Sequence, residues 1–515
     1  MAAIITEQFR VLSAGNFLSG ISSTGSSYYT WVGLPNAVNL DANWNTSPPS
    51  PIDSINEENR YWDTMLAMKK INSSDVKRVV EKYTWATGEK YDMYRHDYSR
   101  NNLAPVSKST TLYNSKYYVI NKDYRVYICL HNGISPENPT GKPSLDEPLF
   151  TDLEPRSAGS SGDDYVWKYL YTLTPSDILR FDSSNFIPVP NDWSTNPNNI
   201  SVKDNSSTSG QIKIVTISSR GAGYGTALTY NNVDIFGDGE GAKASVTVNS
   251  DGKIQSVDVS NGGSGYSFAT LDLDSAGIVN TASSVDAVTS VVIPPDGGHG
   301  ADIYNELGSR KVMIYSRLEN DATNPDFITG NEFARIGVVK DPLVYQSSSK
   351  VSSEKASAVY ALKVTAGQLN QVSFVADDVI TQTIGVGSTA IGRVVSFDNN
   401  TGVLKYWQDS QVATSSTAGA NPLYGYKLLR FQNQLTNGGS FNVNGGNATV
   451  AIDTSFSGIS TVLNNRTYFL GQTFDKGTAN PEVNPQSGQI IYVDNRPSVL
   501  RSSNQKEDIK IVLEF

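Results

Sequence analysis

The chain has 515 residues, 38% of them hydrophobic and 18% charged, with a formal net charge of −10. That length exceeds one ordinary core, and the shortfall in both classes is made up by Ser, Thr, Asn, Gly and 27 tyrosines, a mixture that suits mainly β architecture with minor α. The acidic balance argues against a nucleic-acid binder, which needs a basic footprint, and no apolar run approaches the ~20 residues of a membrane helix.

Cys129 is the single cysteine, so no intramolecular disulfide frame exists; within VYICL it reads as a small buried hydrophobe. The start, MAAIITEQFR, lacks a basic region followed by a long apolar core, so no secretory leader is expected. The expectation is a protein without membrane insertion, made in a reducing cytoplasm.

In chain order, the first clear helix signal is S-I-N-E at 54–57. This capping box predicts that Ser54 bonds forward and Glu57 reaches back. Tyr61, Trp62, Met65 and Leu66 follow at helical spacing as a core stripe. YYVI at 117–120 and RVYICL at 125–130 flank the turn N-K-D-Y and predict a hairpin. Residues 132–163 carry five spread prolines and the run S-A-G-S-S-G, which predicts a long loop. In DYVWKYLYTLTPSD, Tyr165, Trp167, Tyr169 and Tyr171 share one face of a strand, and Val166, Lys168, Leu170 and Thr172 the other. Thr174 then caps a short helix with Pro175 at its first position.

From about 200 the composition turns rich in Gly, Ser, Thr and Val. GQIKIVTISSRGAGY at 210–224 repeats as GKIQSVDVSNGGSGY at 252–266, an offset of 42 residues. Each copy reads as a strand, a Gly-rich turn and a Tyr, and Asp251-Gly252 reads as a hairpin turn. Residues 301–343 return to the composition of 1–199, with RKVMIYSRLE and NEFARIGVVKDPL. Residues 344–485 are again Ser/Thr/Gly/Asn-rich, with strands around D-N-N-T-G. At the end, Pro497 stiffens N-R-P into a corner that projects Arg496. In the final strand Ile509, Ile511, Leu513 and Phe515 alternate with Lys510, Val512 and Glu514, which marks one buried face. The expected organisation is a body at 1–199, 301–343 and 486–515, with inserted β domains at 200–300 and 344–485.

Residues able to carry chemistry are few. Asp296, His299 and Asp302 are spaced by three, but Gly and Pro forbid the helix that would converge them on a metal. Asp234, Asp238 and Glu240 lie on a Gly-rich loop without the EF-hand spacing, so a solvated turn is preferred to calcium. RGAGYG and GDGEG lack the ending and the helix of a phosphate loop. GGSGY lacks the register of a nucleophile elbow. No catalytic residue, cofactor or metal site is assigned, and the chain is read as a non-enzyme. Tyr224, Tyr266 and Trp407 are the candidates for stacking on a carbohydrate, against the alternative that they anchor turns.

The body segments resemble one family. DYVWKYLYTLTPSD, FARIGVVKDPL, SGQIIYVDNRPSVL and the terminal EDIKIVLEF, with FRVLSAGNFLSGI and SPPSPIDS less specifically, are similar to the gene 8 product family of baseplate wedge subunits in T-even-like contractile-tailed bacteriophages. The likeness covers roughly 1–199, 301–343 and 486–515 and leaves both inserts without a counterpart. It implies a β-sandwich body elaborated by insertions, and a structural virion protein of the tail baseplate, assembled in the host bacterial cytoplasm. It also implies a homodimer in contact with other wedge subunits and tail-fibre-connecting proteins, and no catalysis. On that reading Asn495, Arg496 and Pro497, with Tyr165, Trp167 and Tyr169, are the subunit-interface candidates. The alternative is a receptor- or carbohydrate-binding tail protein that uses the inserted β domains.

Overall fold

The computed structural model describes residues 4–36, 43–205, 208–225, 227–280, 285–319, 330–369, 371–385, 388–409, 440–443, 448–502 and 505–515. The fold is mainly β with minor α. The helices are α1 (Glu7–Ser22), α2 (Ile55–Thr64), α3 (Pro175–Phe181), α4 (Pro197–Asn205) and α5 (Ile303–Glu306). The strands begin with β1 (Tyr28–Gly33), β2 (Met65–Lys70), β3 (Val76–Glu81), β4 (Tyr118–Ile120), β5 (Arg125–Asn132), β6 (Tyr165–Thr172) and β7 (Phe186–Val189). Then come β8 (Ile214–Arg220), β9 (Leu228–Gly237), β10 (Glu240–Val248), β11 (Ile254–Ser264), β12 (Ala269–Leu271), β13 (Ala287–Val292), β14 (Lys311–Leu318) and β15 (Glu332–Lys340). The rest are β16 (Lys355–Ser357), β17 (Tyr360–Lys363), β18 (Val379–Gly385), β19 (Ser388–Asp398), β20 (Val403–Trp407), β21 (Ser440–Val443), β22 (Ala448–Ala451), β23 (Gly458–Leu463), β24 (Arg466–Phe474), β25 (Thr478–Ala479), β26 (Gln489–Leu500) and β27 (Glu507–Glu514).

The chain forms two units. One comprises Met1–Phe17, Lys77–Met313 and Val512–Phe515; the other comprises Leu18–Val76 and Ile314–Ile511. The segment 200–300 lies within the first and 344–485 within the second, while the body segments are divided between both.

In the first unit the predicted hairpin forms as β4 and β5, and β6 completes a three-stranded sheet of order β4-β5-β6. Tyr124 closes the turn with φ 58°. The sheet buries Tyr117, Tyr118, Tyr127, Tyr165, Trp167 and Tyr171 in one aromatic core with Tyr91 and Trp193. Each such ring removes roughly 150–250 Å² from water, worth about 4–6 kcal/mol gross. Thr174 caps α3 as predicted, accepting from the Asp177 N–H at 3.2 Å. At the chain's end, Leu513 and Phe515 of this unit are half-buried, while Ile509 and Ile511, earlier on β27 and in the second unit, are buried. The Phe515 ring packs 5.5 Å from that of Phe17.

The internal repeat folds as a reciprocal pair. β8 of the first copy pairs with β13, after the second copy, and β11 of the second pairs with β10, after the first. β9 and β12 pair with one another, inside a sheet of order β11-β10-β9-β12. Equivalent glycines take the left-handed backbone: Gly210 and Gly252 (φ 68° and 67°), Gly221 and Gly263 (59° and 60°), Gly223 and Gly265 (86° and 79°). Equivalent side chains Ile212 and Ile254, and Tyr224 and Tyr266, enter one hydrophobic cluster drawn wholly from 212–293.

In the second unit, Ser54 caps α2 by accepting from the Glu57 N–H at 3.3 Å. The other half of the box does not form as predicted, because the Glu57 carboxylate takes the Arg60 guanidinium at 2.7 Å. The stripe Tyr61, Trp62, Met65 and Leu66 is buried, although the helix stops at Thr64 and Met65 already starts β2. α1, which the division between the units cuts after Phe17, was not foreseen: the segment FRVLSAGNFLSGI is helical. A five-stranded sheet of order β16-β2-β1-β15-β26 builds the core around Tyr29, Trp31 and Met68. Strands of 344–485 form a seven-stranded sheet of order β22-β21-β18-β19-β20-β17-β25. Its D-N-N-T-G turn closes as predicted, with Asp398 O accepting from the Gly402 N–H at 2.7 Å.

Candidate interface strand

β26 is the outer strand of the five-stranded sheet. It pairs antiparallel with β15, Val338 facing Tyr492 and Ile336 facing Asp494. Register breaks further on: Arg335 faces Asn495, but Phe333 faces Val499, so Ala334 alone stands against Arg496, Pro497 and Ser498. Asn-Arg-Pro is therefore a bulge within an edge strand rather than the stiff corner expected from the sequence. Proline donates no N–H, so strands accommodate it at edges and bulges.

Residues 44–49 of the same unit fasten the bulge. The Trp44 indole N–H donates to Arg496 O at 2.8 Å, the Ser498 N–H donates to Asn45 Oδ1 at 2.9 Å, and Asn495 Nδ2 donates to Pro49 O at 2.8 Å. Arg496 keeps its side chain 63% exposed and pairs with Asp494 at 2.5 Å. Along the same strand Ile491, Val499 and Leu500 are exposed apolar residues. The strand thus carries a guanidinium on a fixed bulge between exposed apolar side chains.

Beneath the bulge lies Arg335, only 1% exposed. Its Nε donates to Asn495 Oδ1 at 3.2 Å, Nη1 to Thr64 Oγ1 at 2.6 Å and Nη2 to Asn36 Oδ1 at 2.5 Å. The guanidinium lies 4.8 Å from the Trp44 ring centre and 5.3 Å from that of Tyr61. Among the described residues no carboxylate pairs with it. Burial pushes the group down to about 10. Arg335 therefore joins Asn36, Trp44, α2 and β26 to β15 through neutral acceptors and aromatic faces, a geometry that a planar guanidinium satisfies and an ammonium does not. One sequence signal existed for it: an arginine inside the apolar run FARIGVV. Nothing in the sequence pointed to Asn36 or Trp44 as its partners.

The other candidates lie elsewhere. Tyr165 and Trp167 are fully buried and stack 5.3 Å apart, and Tyr169 is half-buried against Tyr127. The proposed aromatic face is core at its first two positions, with no ring surface left for a partner. Strand alternation also fails there: β5 bulges against β6, so Lys168 and Leu170 are buried too. Tyr224, Tyr266 and Trp407 are each no more than 5% exposed, which leaves no ring face for a sugar. Tyr224 Oη accepts from the Ala287 N–H at 2.6 Å; Tyr266 Oη accepts from the Ala242 N–H at 3.2 Å and donates to Ile235 O at 3.1 Å. The two tyrosines anchor turns instead. Cys129 is buried, and burial pushes its thiol well above its ordinary value.

Four of the five carboxylates considered for metals are engaged elsewhere, Glu240 is exposed, and no group of three or more metal-ligating side chains gathers among the described residues. Asp238 accepts from the Ser267 and Phe268 N–H groups, Asp234 pairs with Lys243, Asp296 accepts from Ser209 Oγ, and Asp302 caps α5. His299 pairs instead with Glu306, which sequence reasoning passed over because the glycines around His299 hid the short helix that presents it. No helix among the described residues is long and apolar enough to cross a membrane. No family model and no curated protein matches this chain.

Proposed function

We propose that this chain is a structural virion protein, a baseplate wedge component of a contractile phage tail, acting through its surfaces as a homodimer among other wedge and tail-fibre-connecting subunits. The observation that supports this reading is the pairing of β15 with β26. Two of the segments that carry the family likeness, FARIGVVKDPL and SGQIIYVDNRPSVL, are neighbours in one sheet although 143 residues lie between 343 and 487. The second presents Arg496 on an edge strand, and arginines on fixed corners are good anchors for protein interfaces.

Light scattering on the purified chain tests the reading. A mass near twice 55.8 kDa fits; a monomer or a trimer argues against it. Arg496→Asp should convert the dimer to monomer with an unchanged circular dichroism spectrum. The exposed Arg496–Asp494 pair contributes only about 0–1 kcal/mol to the fold. A wild-type sedimentation profile for that variant removes Arg496 from the interface.

A further inference from the structure

Two phenylalanines of the repeat domain stand open to solvent, Phe236 at 50% and Phe268 at 63% exposure, whereas Tyr224 and Tyr266 of the same domain are buried. They share one corner of the sheet β11-β10-β9-β12. There β12 pairs with β9, Thr270 facing Phe236 and Leu271 facing Ile235. Leu271 and Ile235 are buried in the domain's core and Ala269 packs against it. Strand alternation therefore turns Phe236, Phe268 and Thr270 to the opposite, outer face, and all three are exposed. Continuing the register sets Phe268 diagonal to Phe236, a separation of about 7–8 Å that large side chains bridge.

The backbone holds this corner in place. The Asp238 carboxylate accepts from the Ser267 and Phe268 N–H groups at 2.8 and 3.1 Å. A Cβ on Gly237 would collide with Phe268 O, so glycine is what lets the end of β9 run so close to Phe268. Charge at the corner is committed or negative. Lys243 is the one cation in β9–β12, and it pairs with Asp234, its cross-strand neighbour. Glu240 and Asp258 add negative charge. On the outer face Asn261, beside Lys243, and Thr270, beside Phe236, offer exposed amide and hydroxyl groups.

Two open rings call for apolar faces on the ligand. At about half exposure they offer roughly 200 Å² together, well short of the ~800 Å² that each partner contributes to a standard protein interface. The negative surroundings disfavour an acidic ligand, because the only cation is already paired. A sugar ring meets both demands, with C–H faces to lie on the phenyl rings and hydroxyls at its rim for the amide and hydroxyl groups. We propose that this corner is a platform for a neutral oligosaccharide, laid across Phe236 and Phe268 with hydroxyls toward Asn261 and Thr270. The ligand lies on an open sheet face and needs no cavity. This goes beyond the wedge reading and does not depend on it.

Binding of the labelled full chain to a printed array of neutral, acidic and amino-sugar oligosaccharides tests the assignment. Retention on neutral oligomers is expected, and it should survive high salt because no ion pair contributes. Phe236→Ala and Phe268→Ala should each weaken it by about three- to tenfold, the stacking contribution of one ring. Both side chains are exposed, so both variants should keep the circular dichroism spectrum of the parent chain. No retention on any neutral oligomer, retention on charged oligomers only, or undiminished retention by the two variants overturns the proposal. So does loss of self-association in those variants by light scattering, which would put a second copy of the chain on the corner.

Discussion

Raising the pH should unfold the first unit, because its core is built on phenols that cannot ionise in place. Tyr94, Tyr117, Tyr118, Tyr165 and Tyr171 are each no more than 4% exposed. Burial holds all five well above the ordinary tyrosine value. Tyr117, Tyr118 and Tyr165 donate to the carbonyls of Glu306, Glu81 and Lys142, which would repel a phenolate. The folded value lies above the unfolded one, near 10, so this stability is complete below pH ~10 and is lost as the pH rises beyond it. At one unit above that value each unfolded tyrosine is favoured by about 1.4 kcal/mol, and five together by roughly 7 kcal/mol. A domain's entire stability is about 5–15 kcal/mol. Arg78 and Lys168 of the same unit, lowered by burial, shift stability the opposite way over this range, as does Arg335 in the other unit, but two cations do not offset five phenols. Tyrosinate absorbance and circular dichroism followed together should show one cooperative transition about one pH unit above 10. Full ionisation near pH ~10 with secondary structure retained would refute the argument.

Three further outcomes test packing. A Cβ on Gly337 would fall inside the van der Waals envelope of the Trp31 indole, so Gly337→Ala should cost about 1–3 kcal/mol by denaturant midpoint, whereas Gly367→Ala, with open space around it, should be neutral. Arg335→Ala should cost about 2–4 kcal/mol, because it strands Asn36, Thr64 and Asn495 and empties the slot between Trp44 and Tyr61, and a change under ~1 kcal/mol would show that relief of the buried charge cancels those losses. Tyr224→Phe and Tyr266→Phe each leave a backbone N–H without its acceptor and should each cost about 1–3 kcal/mol, which thermal melts of the two variants can read.

The sequence made local periodicity and turn chemistry legible. The hairpin at 117–130, the Thr174 cap, the D-N-N-T-G turn and the alternation at 509–515 are each fixed by residues within a few positions of one another. Errors arose where distant groups decide. Glu57 prefers Arg60 to the cap N–H, α1 is masked by its helix-poor Gly and Ser residues, and the N-R-P corner becomes a bulge because Trp44 and Asn45, some 450 positions away, hold it. At the candidate sites, residue type was legible and exposure was not. Tyr165, Trp167, Tyr224, Tyr266 and Trp407 are aromatic enough to recognise a partner, yet each is buried by neighbours that spacing does not name.

The repeat shows how far such local identity carries. Two like segments could fold as side-by-side copies, each packing its own tyrosine on its own glycines. Instead the contacts cross. A Cβ on Gly210 would collide with the backbone N of Tyr266, and a Cβ on Gly252 would lie 2.9 Å from Gly225 O and 3.5 Å from Tyr224 N. Tyr224 N–H donates to Gly252 O at 3.0 Å, and Gly265 N–H donates to Ser209 O at 2.8 Å. Each copy's first glycine thus seats the other copy's tyrosine turn, as its first strand pairs with a strand following the other copy. Exchange of this kind explains why two copies suffice, when neither has a complete sheet alone. It also makes the coupling directional. In a double-mutant cycle, Gly210→Ala should couple to Tyr266→Phe by about 0.5 kcal/mol or more, and Gly252→Ala to Tyr224→Phe likewise, while Gly210→Ala with Tyr224→Phe should be additive to within about 0.5 kcal/mol. Coupling within copies rather than across them would mean the strands do not exchange.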